Sequence, residues 1–383
     1  MNVQQAYTIA NEIFGEVTGR SVVLNEDLSN IVDAGKEYSQ LVGADWLDNY
    51  AHGVINKIGK TIFVDRVYRG RTPSILRDAW EYGSALEKID AEVPDFVENE
   101  SWELVNGQTY NQDMFTAPTV KSKFFNTKST FELDLSRAER QVKESLKGPT
   151  QLLAFFGMIE TKIENKLTKA TESFMMRAVN NMIGVTLHTA NGNRAINLLS
   201  LYNSGPNYGG TPLTFPKCLY DKDFLRFAAF TIKLYPSRLR DLSVLFNEEG
   251  RERFTPSDRL TTVLWDKFQS AAGTYLYDAN GQFLTDEIKL PSAETVSYWQ
   301  APGTGYADSD TSAVNIVTTE GDTVSASGIL GVMFDRDAVI VANFDRRVRT
   351  HVNEKAEFIN SFWKVEMGLI NAFDENFIVF YCA

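Results

Sequence analysis

SGILGVMFDRDAVIVANFDRRVRTHVNEKAEFINSFWKVEMGLINAFDENFIVFYCA, residues 327–383, is strand-rich, aromatic and apolar to within one residue of the end of the chain. A free strand exposing Phe377, Ile378, Val379, Phe380 and Tyr381 would template aggregation, so this terminus is expected inside a sheet. Its apolar run is continuous rather than alternating, which predicts burial on both faces, with a helix over at least one. The sequence offers one helix long enough for that role. After Gly148-Pro149, apolar residues recur at spacings of three and four at Leu152, Phe156, Ile159, Ile163, Leu167, Ala170, Phe174 and Ala178. A helix from there to about Ile183, closed by Gly184, is about 50 Å long at 1.5 Å per residue and reads as a spine along which other elements lie.

Ahead of the spine, charge is segregated. INKIGKTIFVDRVY, Ile55 to Tyr68, has strand-like apolar clustering and is followed by a basic block in which Arg66, Arg69, Arg71 and Arg77 fall close together. From Glu81 to Glu100 the chain carries Glu81, Glu87, Asp90, Glu92, Asp95, Glu98 and Glu100 against Lys88 alone. The sign then reverses at Lys121, Lys123 and Lys128, inside KSKFFNTKSTFELDLS, whose period-two pattern argues for a half-exposed strand. An acidic limb going out and a basic strand coming back predict a long extended hairpin. The first residues, to about Tyr50, carry two short amphipathic patterns that bury little by themselves, and predict an arm that packs on something else, a neighbouring subunit being one candidate.

After the spine, Ala190 to Pro216 is rich in Asn, Gly, Ser and Pro and reads as a lobe boundary. Asp221 is placed to cap a helix reaching about Tyr235, and Thr255-Pro256 with Asp258 predicts another over Pro256 to Ala272. Ser292 to Ser327 is Ser/Thr/Gly-rich, with NIVTTEGDTVSAS expected as a small hairpin turned at Glu320-Gly321-Asp322.

At 383 residues and 43% hydrophobic content the chain can bury a sizeable core over two or three lobes. A net charge of -12 is the wrong sign for wrapping nucleic acid, so a grip on phosphates over a large surface is not expected. Cys218 and Cys382 are too few for a secreted disulfide framework and lack metal-ligand spacing, which points to reduced buried thiols and assembly in a cytoplasm. The N-terminus lacks a basic and apolar signal pattern, and the apolar runs are too short to span a bilayer, so no membrane partner is expected.

No catalytic grouping emerges. His52, His188 and His351 are far apart in sequence, and HExxH, GxSxG and GxxxxGK[ST] are absent. The glycines of ANGN and GPNYGG lack the strand-to-helix context of a phosphate cradle. Asp335, Asp337 and Asp345 could serve a metal, but Arg336, Arg346 and Arg347 beside them favour salt bridging. Phe362, Trp363, Phe373, Phe377 and Phe380 lack the basic groove a base-stacking platform needs, which favours packing. No catalytic, cofactor-binding or metal residue is therefore assigned.

Residues 327–383, with the run Gly-Ile-x-Gly-x-x-Phe-Asp-x-Asp-Ala from Gly328, resemble the C-terminal part of tailed-bacteriophage major head proteins of the Hong Kong 97 fold, nearest in style to the phi-29-like small podophage group. The stretch TIKLYPSRLRDLSVLFNEEGRERFTPSDRLTTVLWDKFQSAAGTYLYDANGQFLTDEIKLP, from Thr231, is similar to that family's helix, Pro-Ser turn and Thr-Pro-x-Asp segment. The resemblance implies an α+β subunit with an N-terminal arm at 1–55, an extended hairpin (the family's E-loop) at 56–147, a spine helix and peripheral sheet at 148–190 and 345–383, and an apical domain at 191–344. Arg66, Arg69, Arg71, Glu81, Glu87, Asp90, Glu92, Lys121 and Lys123 are the expected inter-subunit residues of the hairpin. It further implies a non-enzymatic shell subunit assembling as pentamers and hexamers around double-stranded DNA, with portal and scaffolding or decoration proteins as further partners and no sequence-specific DNA contact. An encapsulin-type compartment protein and a soluble enzyme are the alternatives.

Overall fold

The structure, a computed structural model, describes residues 3–19, 23–42, 50, 75–78, 86–92, 99, 101, 103–110, 113, 115, 117–125, 128–138, 140, 147–189, 192–205, 210–275, 290–300, 311–318 and 321–383. The chain forms two compact units, Met1–Ala79 with Lys128–Ala383, and Trp80–Thr127. In chain order the elements are α1 (Val3–Thr18), α2 (Ile31–Val42), β1 (Leu76–Asp78), β2 (Leu86–Glu92), β3 (Thr119–Phe125), β4 (Lys128–Ala138) and α3 (Pro149–His188). They continue as β5 (Ala195–Asn197), α4 (Leu198–Asn203), α5 (Lys222–Arg240), β6 (Leu260–Trp265), α6 (Asp266–Tyr275) and β7 (Glu294–Val296). The remainder is β: β8 (Val314–Val317), β9 (Thr323–Ala326), β10 (Ile329–Asp335), β11 (Val339–Asn353), β12 (Phe358–Asn371) and β13 (Phe377–Tyr381).

The spine is α3, with Pro149 in its first turn, where a missing N–H costs nothing. At 40 residues it is longer than the expected span, about 60 Å at 1.5 Å per residue. Gly184 does not end it. A Cβ at Gly184 would lie 3.0 Å from Ile316 Cγ2 and 3.1 Å from Thr318 Cγ2, so the glycine lets the β8–β9 hairpin lie close against the helix. That hairpin forms as its sequence predicts, with Gly321 at φ 95° in the turn.

The C-terminal half of α3 packs on a five-stranded sheet of order β5-β13-β10-β6-β7. Strand β13 runs between β5 and β10, and Phe377, Ile378, Val379 and Phe380 are all at most 2% exposed. The continuous apolar run therefore reports burial on both faces, as expected. Asp221 caps α5, its Oδ1 accepting from Phe224 N at 2.8 Å. The helix expected from Pro256 to Ala272 is half strand. Thr255-Pro256 opens a turn closed by Arg259 N to Pro256 O at 3.0 Å, and LTTVLW then pairs with β10 as β6. Thr261, Thr262 and Val263 are β-branched, stiff in a helix and suited to a ladder that a neighbouring strand already offers.

A second, four-stranded sheet has the order β1-β11-β12-β4. The expected returning strand KSKFFNTKSTFELDLS is two strands: β3 pairs with β2, whereas β4 pairs with β12 over eleven register positions. Residues 345–383 likewise divide. β12 belongs to the four-stranded sheet, and β13 joins the strands drawn from residues 195–335.

The arm packs on its own chain. Ile9, Ile13 and Phe14 of α1 and Ile31 and Tyr38 of α2 form one core with Phe155 and Ile163 of α3 and Ile359 and Trp363 of β12. Leu167 touches both this core and the larger one, so the spine joins the two cores. The segment Ile55 to Tyr68 lies outside the described residues.

Candidate assembly surfaces

The unit Trp80–Thr127 is built on the antiparallel pair β2–β3. Of the nine residues expected to carry its contacts, Arg66, Arg69, Arg71 and Glu81 lie outside the described residues. Glu87, Asp90 and Glu92 stand on β2, and Lys121 and Lys123 on β3. The register sets Asp90 opposite Lys121, and Lys88 opposite Lys123, where like charges repel. The Lys123 ammonium lies over the Phe125 ring, 5.8 Å from its centroid.

Alternation along the strands brings together residues that the charge pattern concealed. Val120, Ser122 and Phe124 point to one side of β3, and Ile89 stands opposite Ser122 on the same side. Ile89 is 65%, Val120 61% and Phe124 62% exposed. In the connection between the strands, Leu104, Val105 and Phe115 are exposed as well. Large apolar side chains held in water make this unit a candidate interaction surface.

A second exposed patch follows α5, where Leu242, Val244, Leu245 and Phe254 flank the bridge between Ser243 and Arg253. Its base is firmly held. Asn247 exchanges two hydrogen bonds with the Arg251 backbone, Arg253 pairs with Asp374 at 3.0 Å, Arg194 pairs with Glu248, and Phe246 O accepts from Phe377 N at 2.9 Å.

The groups weighed for chemistry are used structurally. Arg259 pairs with Asp335 at 3.3 Å and with Asp337, and Arg347 pairs with Asp345 at 2.8 Å, so the salt-bridge reading holds with Arg259 as the partner that sequence proximity did not reveal. Trp363, Phe377 and Phe380 are core residues. His188 lies 3.5 Å from Asp322, His351 is exposed on β11, and His52 lies outside the described residues. Among the described residues no cluster of three His, Cys, Asp or Glu could hold a metal ion, and no helix is long and apolar enough to cross a membrane. Arg137, on β4, is 5% exposed with its guanidinium over Phe155, and burial lowers its pKa to about 10.

The family model described as Phi29-like phage major capsid protein matches residues 8–381. No curated protein matches the chain. Among solved structures, the chain is similar to one in the structure of the head fibre and inner core protein gp22 of native bacteriophage P68, at 10% identity over 84% of this chain and 86% of that one, with a TM-score of 0.52. It is also similar, at 10% identity, to a chain in the capsid of Staphylococcus phage Andhra, covering 80% of this chain and 82% of that one with a TM-score of 0.49. The α+β architecture is of the Hong Kong 97 type.

Proposed function

Because the chain belongs to the Phi29-like phage major capsid protein family, and is thereby a structural subunit of a phage head shell, we propose that it works by geometry alone, without catalysis. Copies assemble as pentamers and hexamers into an icosahedral or prolate shell around double-stranded DNA, in the cytoplasm of the host. The observation that carries this reading is the family match across nearly the whole chain. The net charge of -12 supports a wall that keeps the genome from adhering to it. Portal and scaffolding or decoration proteins complete the particle.

In this reading the patch at Leu242, Val244, Leu245 and Phe254 lies where lobes of neighbouring copies meet, and the hairpin lies over an adjacent subunit. The segregated charges of Arg66, Arg69, Arg71, Glu81, Glu87, Asp90, Glu92, Lys121 and Lys123 orient the hairpin there. Exposed ion pairs contribute only ~0.2–1 kcal/mol each, so the apolar face with Ile89, Val120 and Phe124 supplies the larger share of the contact. Electron microscopy of the purified full chain tests the assembly: closed shells with five- and six-fold capsomers are expected, and a protein that stays monomeric under all assembly conditions overturns it. Deleting residues 81–118 should leave a soluble subunit that builds no shells. Normal shells from the deleted chain would show that the hairpin is not a tie between subunits.

A further inference from the structure

One basic side chain is shut inside the subunit without a counter-charge. Arg137 is the penultimate residue of β4, the last strand in the order β1-β11-β12-β4, and stands opposite Ile359 of β12. Strand alternation puts it on the face of Leu133 and Leu135, which pack on the core of α3 and the arm. Its neighbours Ser136 and Ala138 are exposed, so the chain reaches solvent within one residue on either side. Arg137 itself is 5% exposed, with its guanidinium 5.9 Å from the centroid of the Phe155 ring. Among the described residues nothing accepts a hydrogen bond from its Nε or Nη2, and both are closed off from solvent. Those two nitrogens form one edge of the guanidinium, the side whose parallel N–H groups match the two oxygens of a carboxylate. Burial lowers the pKa to about 10, so the group is still charged at neutral pH. A buried guanidinium without a partner costs the free subunit stability. The ring face attracts the charge but leaves the fork of donors unused.

We propose that Arg137 is an inter-subunit socket: on assembly, a carboxylate of a second copy docks side-on against Nε and Nη2 and completes the ion pair that the free subunit lacks. The inference rests on the reading of the chain as a shell subunit. The sequence supplies the counter-group, because 50 acidic against 38 basic residues leave every copy with carboxylates to spare. The same acidic balance repels a nucleic-acid backbone as the occupant. Geometry permits the meeting. Arg137 is one position from the end of an outer strand, and its aliphatic stem lets the head swing to the rim of the core while the stem stays on Phe155. Partly buried, such a pair is screened less by salt than the exposed charges of the hairpin are. The unpaired charge disfavours the isolated subunit, and its pairing favours the assembled one, so assembly selects a neighbour that presents an anion at this point.

Shells of the full chain are assembled and imaged to side-chain detail by electron cryo-microscopy. The expected map shows a carboxylate of a neighbouring copy within hydrogen-bond distance of Arg137 Nε and Nη2. An acceptor from the same chain, a nucleic-acid phosphate, or water alone at the guanidinium would overturn the proposal. Arg137→Met, which keeps the stem and removes the charge, should melt no lower than the wild type as the unassembled subunit. Its contacts between copies should weaken by about tenfold or more, with a fall in shell yield. Arg137→Lys keeps the charge without the fork and should assemble between the two. Equal shell yield from the wild type and Arg137→Met would sink this inference and leave the shell reading intact, whereas a wild-type chain that builds no shells under any condition overturns both. The wild-type map decides the matter even if neither variant folds.

Discussion

Phe124 on β3 and Phe380 on β13 are the same side chain in opposite circumstances, 62% exposed in one strand and 0% in the other. Strand β13 has a hydrogen-bonded neighbour on each side and apolar cover on both faces. The β2–β3 pair is two-stranded, an arrangement marginal in water by itself, and it leaves an apolar face open. The contrast separates two uses of hydrophobic surface. In the five-stranded sheet it stabilises the subunit, and on the hairpin it stays in contact with water. Large apolar residues kept on a surface cost the free subunit little, but their burial between copies favours association.

The contrast is tested most severely by removing Phe377 to Ala383. Five large side chains at ~1.5–3 kcal/mol each amount to a loss of order 10 kcal/mol, comparable with the whole net stability of a domain. The truncated chain should be insoluble or rapidly proteolysed, and a soluble truncation that still builds shells would make β13 peripheral. Ile163→Asp comes next, because it places an unpaired carboxylate at a position 0% exposed beneath the arm. A loss of at least about 3 kcal/mol is expected, read as collapse of the soluble fraction, and a soluble, assembly-competent variant would show that the arm's core is dispensable. Gly184→Val should cost about 1–3 kcal/mol through overpacking against Ile316 and Thr318. Gly184→Ala should fall nearer to neutral, since about 1 kcal/mol of helix propensity offsets its smaller clash. Thermal unfolding of the two variants distinguishes close packing from a mere preference for glycine. The smallest effect on the subunit and the sharpest on the comparison belong to Ile89→Ser with Phe124→Ser. Its melting temperature should shift by no more than about 0.5 kcal/mol implies, while shell yield falls. Equal shell yield would show that the open face is idle.

Local periodicity carried much of this structure. The three-four spacing from Leu152 marks α3, Asp221 marks the start of α5, Gly321 marks the turn between β8 and β9, and the unbroken run from Phe377 announces a strand buried on both sides. These features are legible because each depends on residues within a turn or two of each other, where spacing and capping chemistry act directly. The acid-then-base alternation around Glu87 and Lys121 likewise marked the β2–β3 pair, yet it drew attention to charge and away from Ile89, Val120 and Phe124.

What only the tertiary structure decided is which surfaces meet. Gly184 reads as a helix end until β8 and β9 lie against it, and LTTVLW reads as helix until β10 offers it a ladder. KSKFFNTKSTFELDLS reads as one strand until β12 takes its second half, and Cys218 and Cys382 share a core only when β13 enters the sheet from the far end of the chain. An amino-acid sequence determines the period of an element through local sterics and the sign of its faces through composition. Strand partners and the cover over an apolar face come from contacts between distant segments, whose free energy exists only once the chain has closed on itself.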